Sequence, residues 1–179
     1  MTLYTGTGDR GETGLLNGAR VSKADARVAA TGDVDELCAV LGIALAAGLD
    51  AELAAIVAEL QRDLFALGAR LADPRAQVTE RLEKTTLNET SVQKLESWID
   101  QLDASLPTLR QFVLPGGRSG GATLHVARAV CRRAERNIVA LGGEAVPGEI
   151  LRYVNRLSDL LFVMARAENS RRGVQEREW

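Results

Sequence analysis

Apolar residues recur at three- and four-residue spacing along most of this chain, which is the period of a helix. Val34, Leu37, Leu41, Ala44 and Leu45 mark a first, short helix that stops near Gly48. Leu53, Ile56, Leu60, Leu64, Leu67 and Leu71 form a second stripe, with Asp50 placed as its N-cap and Asp73-Pro74 as its stop. A polar connection runs from about Asp73 to Leu87. Val92, Leu95, Ile99 and Leu102 predict a third helix bounded by Pro107. After a turn segment, Phe112-Val113-Leu114-Pro115-Gly116-Gly117, a fourth stripe joins Leu124, Ala127, Cys131, Ala134, Ile138 and Leu141 and ends at Gly142-Gly143. Ile150, Val154, Leu157, Leu161 and Met164 mark the fifth helix. No stretch shows strand alternation. The expected fold is therefore all-α, a five-helix bundle in one domain. Residues 1–22 form a Gly-rich arm, 23–170 the bundle and 171–179 a loose polar tail. Small residues dominate the fourth stripe, so backbones can approach closely there, within the bundle or between subunits.

Composition supports this picture and narrows the function. At 179 residues and 46% hydrophobic, the chain can bury one sizeable core. Its net charge of −2 argues against a dedicated nucleic-acid binder. Cys38 and Cys131 are far apart in sequence, which excludes a disulfide framework and a zinc knuckle. Met1 to Gly14 carries no signal-peptide pattern, and no apolar run is long enough to span a bilayer, so the expected location is the cytoplasm.

Four segments carry candidate chemistry. Thr5-Gly6-Thr7-Gly8-Asp9-Arg10-Gly11-Glu12-Thr13 reads as a loop that can turn backbone N–H groups and hydroxyls toward an anion. Arg10, Arg20 and Lys23 lie close by, and Asp9 could hold a hydrated magnesium ion. The competing reading is a loose terminal arm. On the fourth helix, Arg128, Arg132 and Glu135 share one face, and five arginines stand against one glutamate between Arg118 and Arg136. That excess suits bidentate phosphate binding, or else a solvated surface with ion pairs such as Arg132 with Glu135. Asp33, Asp35 and Glu36 read either as acids at a helix start or, for Asp35, as the partner of a fourth-helix arginine within the chain or across subunits. Asn155, Ser158 and Asp159 interrupt the fifth stripe and hold either a ligand or a neighbouring helix. His125 and Cys131 read as structural. No serine or cysteine has a general-base partner.

Taken together the segments resemble the propanediol-utilisation (PduO) type of ATP:cob(I)alamin adenosyltransferase. The likeness is carried by Tyr4 to Gly11, by Arg20-Val21, Lys23 and Gly32 to Leu37, by Phe112 to Gly117 with Leu124 to Arg136, and by Tyr153 to Phe162, in the family's order. It implies a homotrimer with active sites between subunits. It also implies transfer of the 5′-deoxyadenosyl group of ATP to cob(I)alamin, giving adenosylcobalamin and triphosphate. Thr5, Gly6, Thr7, Gly8, Asp9, Arg10 and Lys23 then become phosphate and magnesium-site candidates, and Arg132, Glu135 and Asn155 hold the nucleotide. Asp35 and Arg128 become a pair bridging two subunits beside the corrinoid, and Phe112 the aromatic beneath the corrin ring. A cob(II)alamin reductase and an adenosylcobalamin-dependent enzyme are the implied partners. The sequence departs from the family pattern at Arg10, where lysine is common, at Thr31, where an aromatic is, and at Cys38, where asparagine is. A corrinoid- or nucleotide-binding carrier, or a helical scaffold, is the alternative reading.

Overall fold

In the computed structural model, residues 4–75, 79, 86–142 and 146–179 are described. They form a short hairpin, β1 (Glu12–Gly14) and β2 (Arg20–Ser22), followed by α1 (Ala26–Ala46), α2 (Ala51–Leu71), α3 (Glu89–Asp103), α4 (Ser119–Ala140) and α5 (Gly148–Arg171). The five helices occur as expected. Most of the connection from Asp73 to Leu87, and Gly143 of the expected fourth-helix stop, lie outside the described residues.

Local chemistry sets the helix starts. Asp25, Asp50 and Asn88 each accept a backbone N–H of the first turn, and Asn88 forms a reciprocal box with Ser91. The α1 helix is not short: it spans 21 residues, beginning well before the first marker of its stripe. Its opening turns are rich in alanine, which favours helix but leaves no apolar stripe to read. The hairpin was also not expected. Its antiparallel register pairs Glu12 with Ser22, Thr13 with Val21 and Gly14 with Arg20. Three residues per strand are too few to show a period of two. Gly18, at φ +83°, closes the turn, and the Leu16 N–H donates to the Ala72 carbonyl at 3.0 Å, docking the hairpin on the end of α2.

The α4 helix packs between α1 and α5, while α3 covers α5 and α2 covers α1. Ala30, Leu41, Leu53, Leu60, Leu95, Leu124, Ile138 and Leu161 are fully enclosed in this core. Polar anchors join the helices as well. The Tyr153 hydroxyl donates to Asp63 at 2.8 Å, tying α5 to α2. Asn169, at 3% exposure, sits where α4 begins. Its Oδ1 accepts the Arg118 N–H at 3.3 Å and its Nδ2 donates to the Gly116 carbonyl at 3.0 Å. It thus replaces the side-chain cap that Arg118 does not supply. The tail after α5 is not loose. Val113 bridges antiparallel to Glu178, and backbone bonds join Leu114 to Arg177 and Trp179 to Phe112.

Candidate active site

The hairpin brings the glycine–threonine segment and its basic neighbours together. Gly6 and Gly11 adopt φ +69° and +82°, and turns close from Asp9 N–H to the Gly6 carbonyl and from Gly11 N–H to the Gly8 carbonyl. The Thr5 and Thr7 hydroxyls are 2.9 Å apart. Arg20 donates to the Thr7 carbonyl at 2.8 Å. A Cβ on Gly8 would stand 3.3 Å from Lys23 Nζ, which places the ammonium beside the loop backbone. Thr5, Thr7, Asp9, Arg10 and Lys23 are all exposed. The result is a compact, exposed loop built from local turns, with Arg20 and Lys23 beside it.

On the α4–α5 face, Asn155 Nδ2 donates to Glu135 at 3.0 Å, and Arg156 donates to the side-chain Oδ1 of Asn155 at 2.9 Å and to Glu96 at 2.9 Å. Glu135 therefore turns to Asn155, and no ion pair with Arg132 is found among the described residues. Arg132 is exposed, with its backbone carbonyl accepting from Arg136 at 3.0 Å. Asn155, Ser158 and Asp159 do not act as one face: Ser158 is buried and Asp159 is exposed.

The acids of α1 also sort differently from a capping cluster. Because α1 starts at Ala26, Asp33 and Glu36 lie inside the helix, not at its start. Arg133 binds Asp33 at 2.9 Å and also pairs with Glu36, and Asn137 donates to Asp33. Arg133 and Asn137 thus take the in-chain partners, and among the described residues Asp35 has no ion pair within the protomer. Asp35 instead lines a groove of about 540 Å³ between hairpin, α1 and α2, whose walls include Leu15, Val28 and the exposed Phe65.

Arg128 shows the complementary deficit. Its Nε is buried without a hydrogen-bond partner, as are both ring nitrogens of His125 one turn earlier. Burial, reinforced by the Arg128 charge, holds the His125 pKa below the usual imidazole value. Phe162 lies 6.1 Å from the His125 ring, centre to centre. Phe112 is 81% exposed, its position set by its backbone carbonyl, which accepts the Trp179 N–H at 2.9 Å. Cys131 is core: its thiol donates to the Val154 carbonyl, and burial pushes its pKa up to about 12. Among the described residues no cluster of three or more His, Cys, Asp or Glu side chains could hold a metal ion.

Within one protomer the site is in two halves. No hydrogen bond or ion pair among the described residues links the segment from Thr5 to Lys23 with Arg128, Arg132 or Phe112. The buried polar residues Arg166, Glu168 and Asn169 escaped the sequence reading, because a charged run at a helix end looks solvated until its partners are known.

Comparison with known proteins decides the family. The family model described as cobalamin adenosyltransferase matches residues 3–168. The chain belongs to the cobalamin adenosyltransferase family. It is 44% identical over 185 residues to the corrinoid adenosyltransferase of Bacillus subtilis, covering 100% of this chain and 92% of that one. It is 43% identical over 175 residues to that of Mycobacterium leprae, covering 94% and 91%. A variant of the PduO-type ATP:corrinoid adenosyltransferase of Lactobacillus reuteri, solved in complex with cobalamin and ATP, superposes with a TM-score of 0.89 at 34% identity, covering 99% of both chains. Membership makes this adenosyltransferase an enzyme and supports the bundle inferred from the helical stripes. Among its described residues no helix is long and apolar enough to cross a membrane.

Proposed function

We propose that the chain transfers the 5′-deoxyadenosyl group of ATP to cob(I)alamin, yielding adenosylcobalamin and triphosphate. The observation that carries this reading is the folded Thr5–Gly11 segment with Lys23 seated against Gly8. It supplies a polyphosphate cradle on a chain akin to an enzyme solved with both substrates. A pure carrier of corrinoid has no use for such a leaving-group site.

The reaction needs no protein nucleophile. The cobalt(I) electron pair attacks the ribose 5′ carbon, the carbon–oxygen bond breaks, and triphosphate leaves with that bonding pair. The protein aligns the three centres and steadies charge gathering on the leaving group. In this proposal Thr5, Gly6, Thr7, Gly8, Arg10 and Lys23 hold the triphosphate. Arg132, free of side-chain carboxylate partners among the described residues, reaches the phosphates as well. Glu135 and Asn155, already hydrogen-bonded to each other, present a fixed polar edge to the nucleoside. Magnesium, when bound, neutralises phosphate charge. The single carboxylate of Asp9 beside the loop suits an ion held mainly by phosphates and water. Phe112, exposed and apolar, faces the lower side of the corrin and keeps a lower axial ligand from cobalt.

The enzyme is further proposed to be a homotrimer in which Asp35 of one subunit meets Arg128 of the next. The reading has support in two charged residues, Asp35 without an ion pair and Arg128 with a buried, unbonded Nε, among the described residues of the chain. It also puts the loop of one subunit against the α4 face of another. A cytoplasmic location, a cob(II)alamin reductase upstream and an adenosylcobalamin-dependent enzyme downstream complete the proposal.

The test is direct. With ATP and chemically reduced cob(I)alamin, a carbon–cobalt bond should appear in the visible spectrum, one triphosphate being released per turnover. Binding of both substrates without product would leave the carrier reading standing. Arg132→Ala should lower turnover by about a hundredfold, the scale of one lost transition-state donor. Because Arg132 is exposed, the melting temperature should stay within about 2 °C of the native value. A parallel collapse of stability would make Arg132 structural.

A further inference from the structure

The Phe112 ring is 81% exposed, so packing does not fix it. What holds residue 112 is its backbone, paired with the C-terminal segment through an isolated bridge. The Trp179 N–H donates to the Phe112 carbonyl at 2.9 Å, the Leu114 N–H donates to the Arg177 carbonyl at 2.8 Å, and Val113 bridges antiparallel to Glu178. Two paired segments this short are marginal unless something else holds them together.

Arg166 supplies that hold. It is 2% exposed on α5, with core residues Ala165 and Ala167 on either side of it in the chain. Its Nε donates to both carboxylate oxygens of Glu176, at 3.1 and 3.0 Å, immediately before the paired tail residues. Its Nη2 donates to the Pro107 carbonyl at 2.8 Å, on the chain leading into Phe112. Its Nη1 stands 3.6 Å from Asp103 at the end of α3. The guanidinium also lies 6.0 Å from the centre of the Phe162 ring. One buried side chain therefore joins Glu176, next to the paired tail residues, to Pro107 on the segment leading into Phe112. A buried ion pair of this kind contributes little net stability compared with apolar packing, yet it specifies one geometry.

We propose that Arg166 and Glu176 are positioning residues for adenosyl transfer, clamping the C-terminal segment to residues 112–114 and so placing the Phe112 ring. The proposal rests on the reading of Phe112 as the lower face of the corrin site. The clamp acts through backbone, not by touching substrate, so its loss moves the ring without removing it.

The test uses Glu176→Gln, which keeps shape and removes charge, and Trp179→Pro, which deletes the N–H that bonds Phe112. Trp179→Ala is the reference that keeps that N–H, and Phe112→Ala the reference for the ring. Each full-length protein is assayed from cob(II)alamin with a reductant, and its ATP-bound cob(II)alamin complex is read by electron paramagnetic resonance. The clamp predicts at least a fivefold fall in kcat for Glu176→Gln, and for Trp179→Pro relative to Trp179→Ala. KM for ATP should stay within twofold. The spectrum should shift toward cobalt with a lower axial ligand, and the same shift is expected in Phe112→Ala. Adding either substitution to Phe112→Ala should cost no more than Phe112→Ala alone. Full additivity, or an unchanged spectrum with activity falling only as the melting temperature falls, overturns the clamp. If Glu176→Gln does not fold, the two Trp179 variants decide. A normal spectrum in Phe112→Ala would overturn the Phe112 reading and the clamp together. An altered spectrum there, with Glu176→Gln and Trp179→Pro unchanged, would overturn the clamp alone.

Discussion

At the level of single residues, this enzyme keeps several charged or titratable groups out of water, and each leaves a signature that can be measured. His125 is buried with neither ring nitrogen bonded, and burial together with Arg128 keeps the ring neutral in the fold, with Glu176 opposing them weakly. The unfolded chain takes up a proton near the ordinary value of 6.5 and the folded chain does not. Folding stability should therefore fall as pH drops through that value, and level off once the folded ring also protonates. Thermal melts of the native protein and His125→Leu from about pH 7.5 to about pH 5.5 check this. The native protein should lose more melting temperature over that span, and equal slopes would show that His125 does not titrate as its burial requires. Such groups are the part of the site least legible in sequence. Arg132, Glu135 and Asn155 could be proposed from spacing and resemblance, since a helical period fixes which side chains share a face. Arg166 could not, because its partners come from Pro107 and Glu176, which only the folded tail brings near.

Among the elements, the core stripes were readable and the boundaries and joints were not. Each apolar run of α2, α4 and α5 is buried where its period put it, since one wet and one dry helix face are needed to close a bundle. The start of α1 and the hairpin lacked that signal, one being alanine-rich and the other three residues to a strand. The joint between α4 and α5 depends on glycines whose purpose lies across the interface. A Cβ on Gly121 would stand 2.3 Å from Asn169 Oδ1, and one on Gly117 2.0 Å, with Gly117 also at φ +108°. Asn169 fills that notch while bonding the backbone at Arg118 and Gly116, where the chain enters α4. Gly121→Ala should therefore destabilise the enzyme by about 2–4 kcal/mol, within the range for overpacking joined to a lost cap. Asn169→Ala should cost about 1–3 kcal/mol through the unpaired backbone groups it leaves. Urea unfolding of both single variants and the double variant should show that the double costs less than the sum. Full additivity would mean that Gly121 is small for a reason other than Asn169.

For the whole molecule, the decisive feature is that the chain holds complementary fragments that no hydrogen bond or ion pair joins among the described residues. Asp35 opens onto the groove beside the hairpin, while Arg128 keeps a buried, unbonded Nε on α4, and in-chain pairing has gone instead to Asp33 and Arg133. Uncompensated burial of a guanidinium nitrogen is costly, so a partner from outside the protomer is the economical explanation. The exposed apolar side chains of Ile43, Phe65, Val126 and Val139 lie on the three helices that carry or flank those charges, as an assembly contact would require. If the contact is trimeric, sedimentation equilibrium should give three times the chain mass at micromolar concentration. Asp35→Ala and Arg128→Ala should each weaken use of the corrinoid, and the double variant should be no worse than the more severe single one. A coupling of about 1–3 kcal/mol in kcat/KM for cob(I)alamin is the size expected of a direct pair. Mixing the two impaired single variants adds a test that stability cannot imitate. In a mixed trimer, an interface can pair an intact Asp35 with an intact Arg128 from different chains, and that one site recovers activity. Recovery on mixing requires the pair to cross a subunit boundary, whereas none would return both residues to sites made by a single chain.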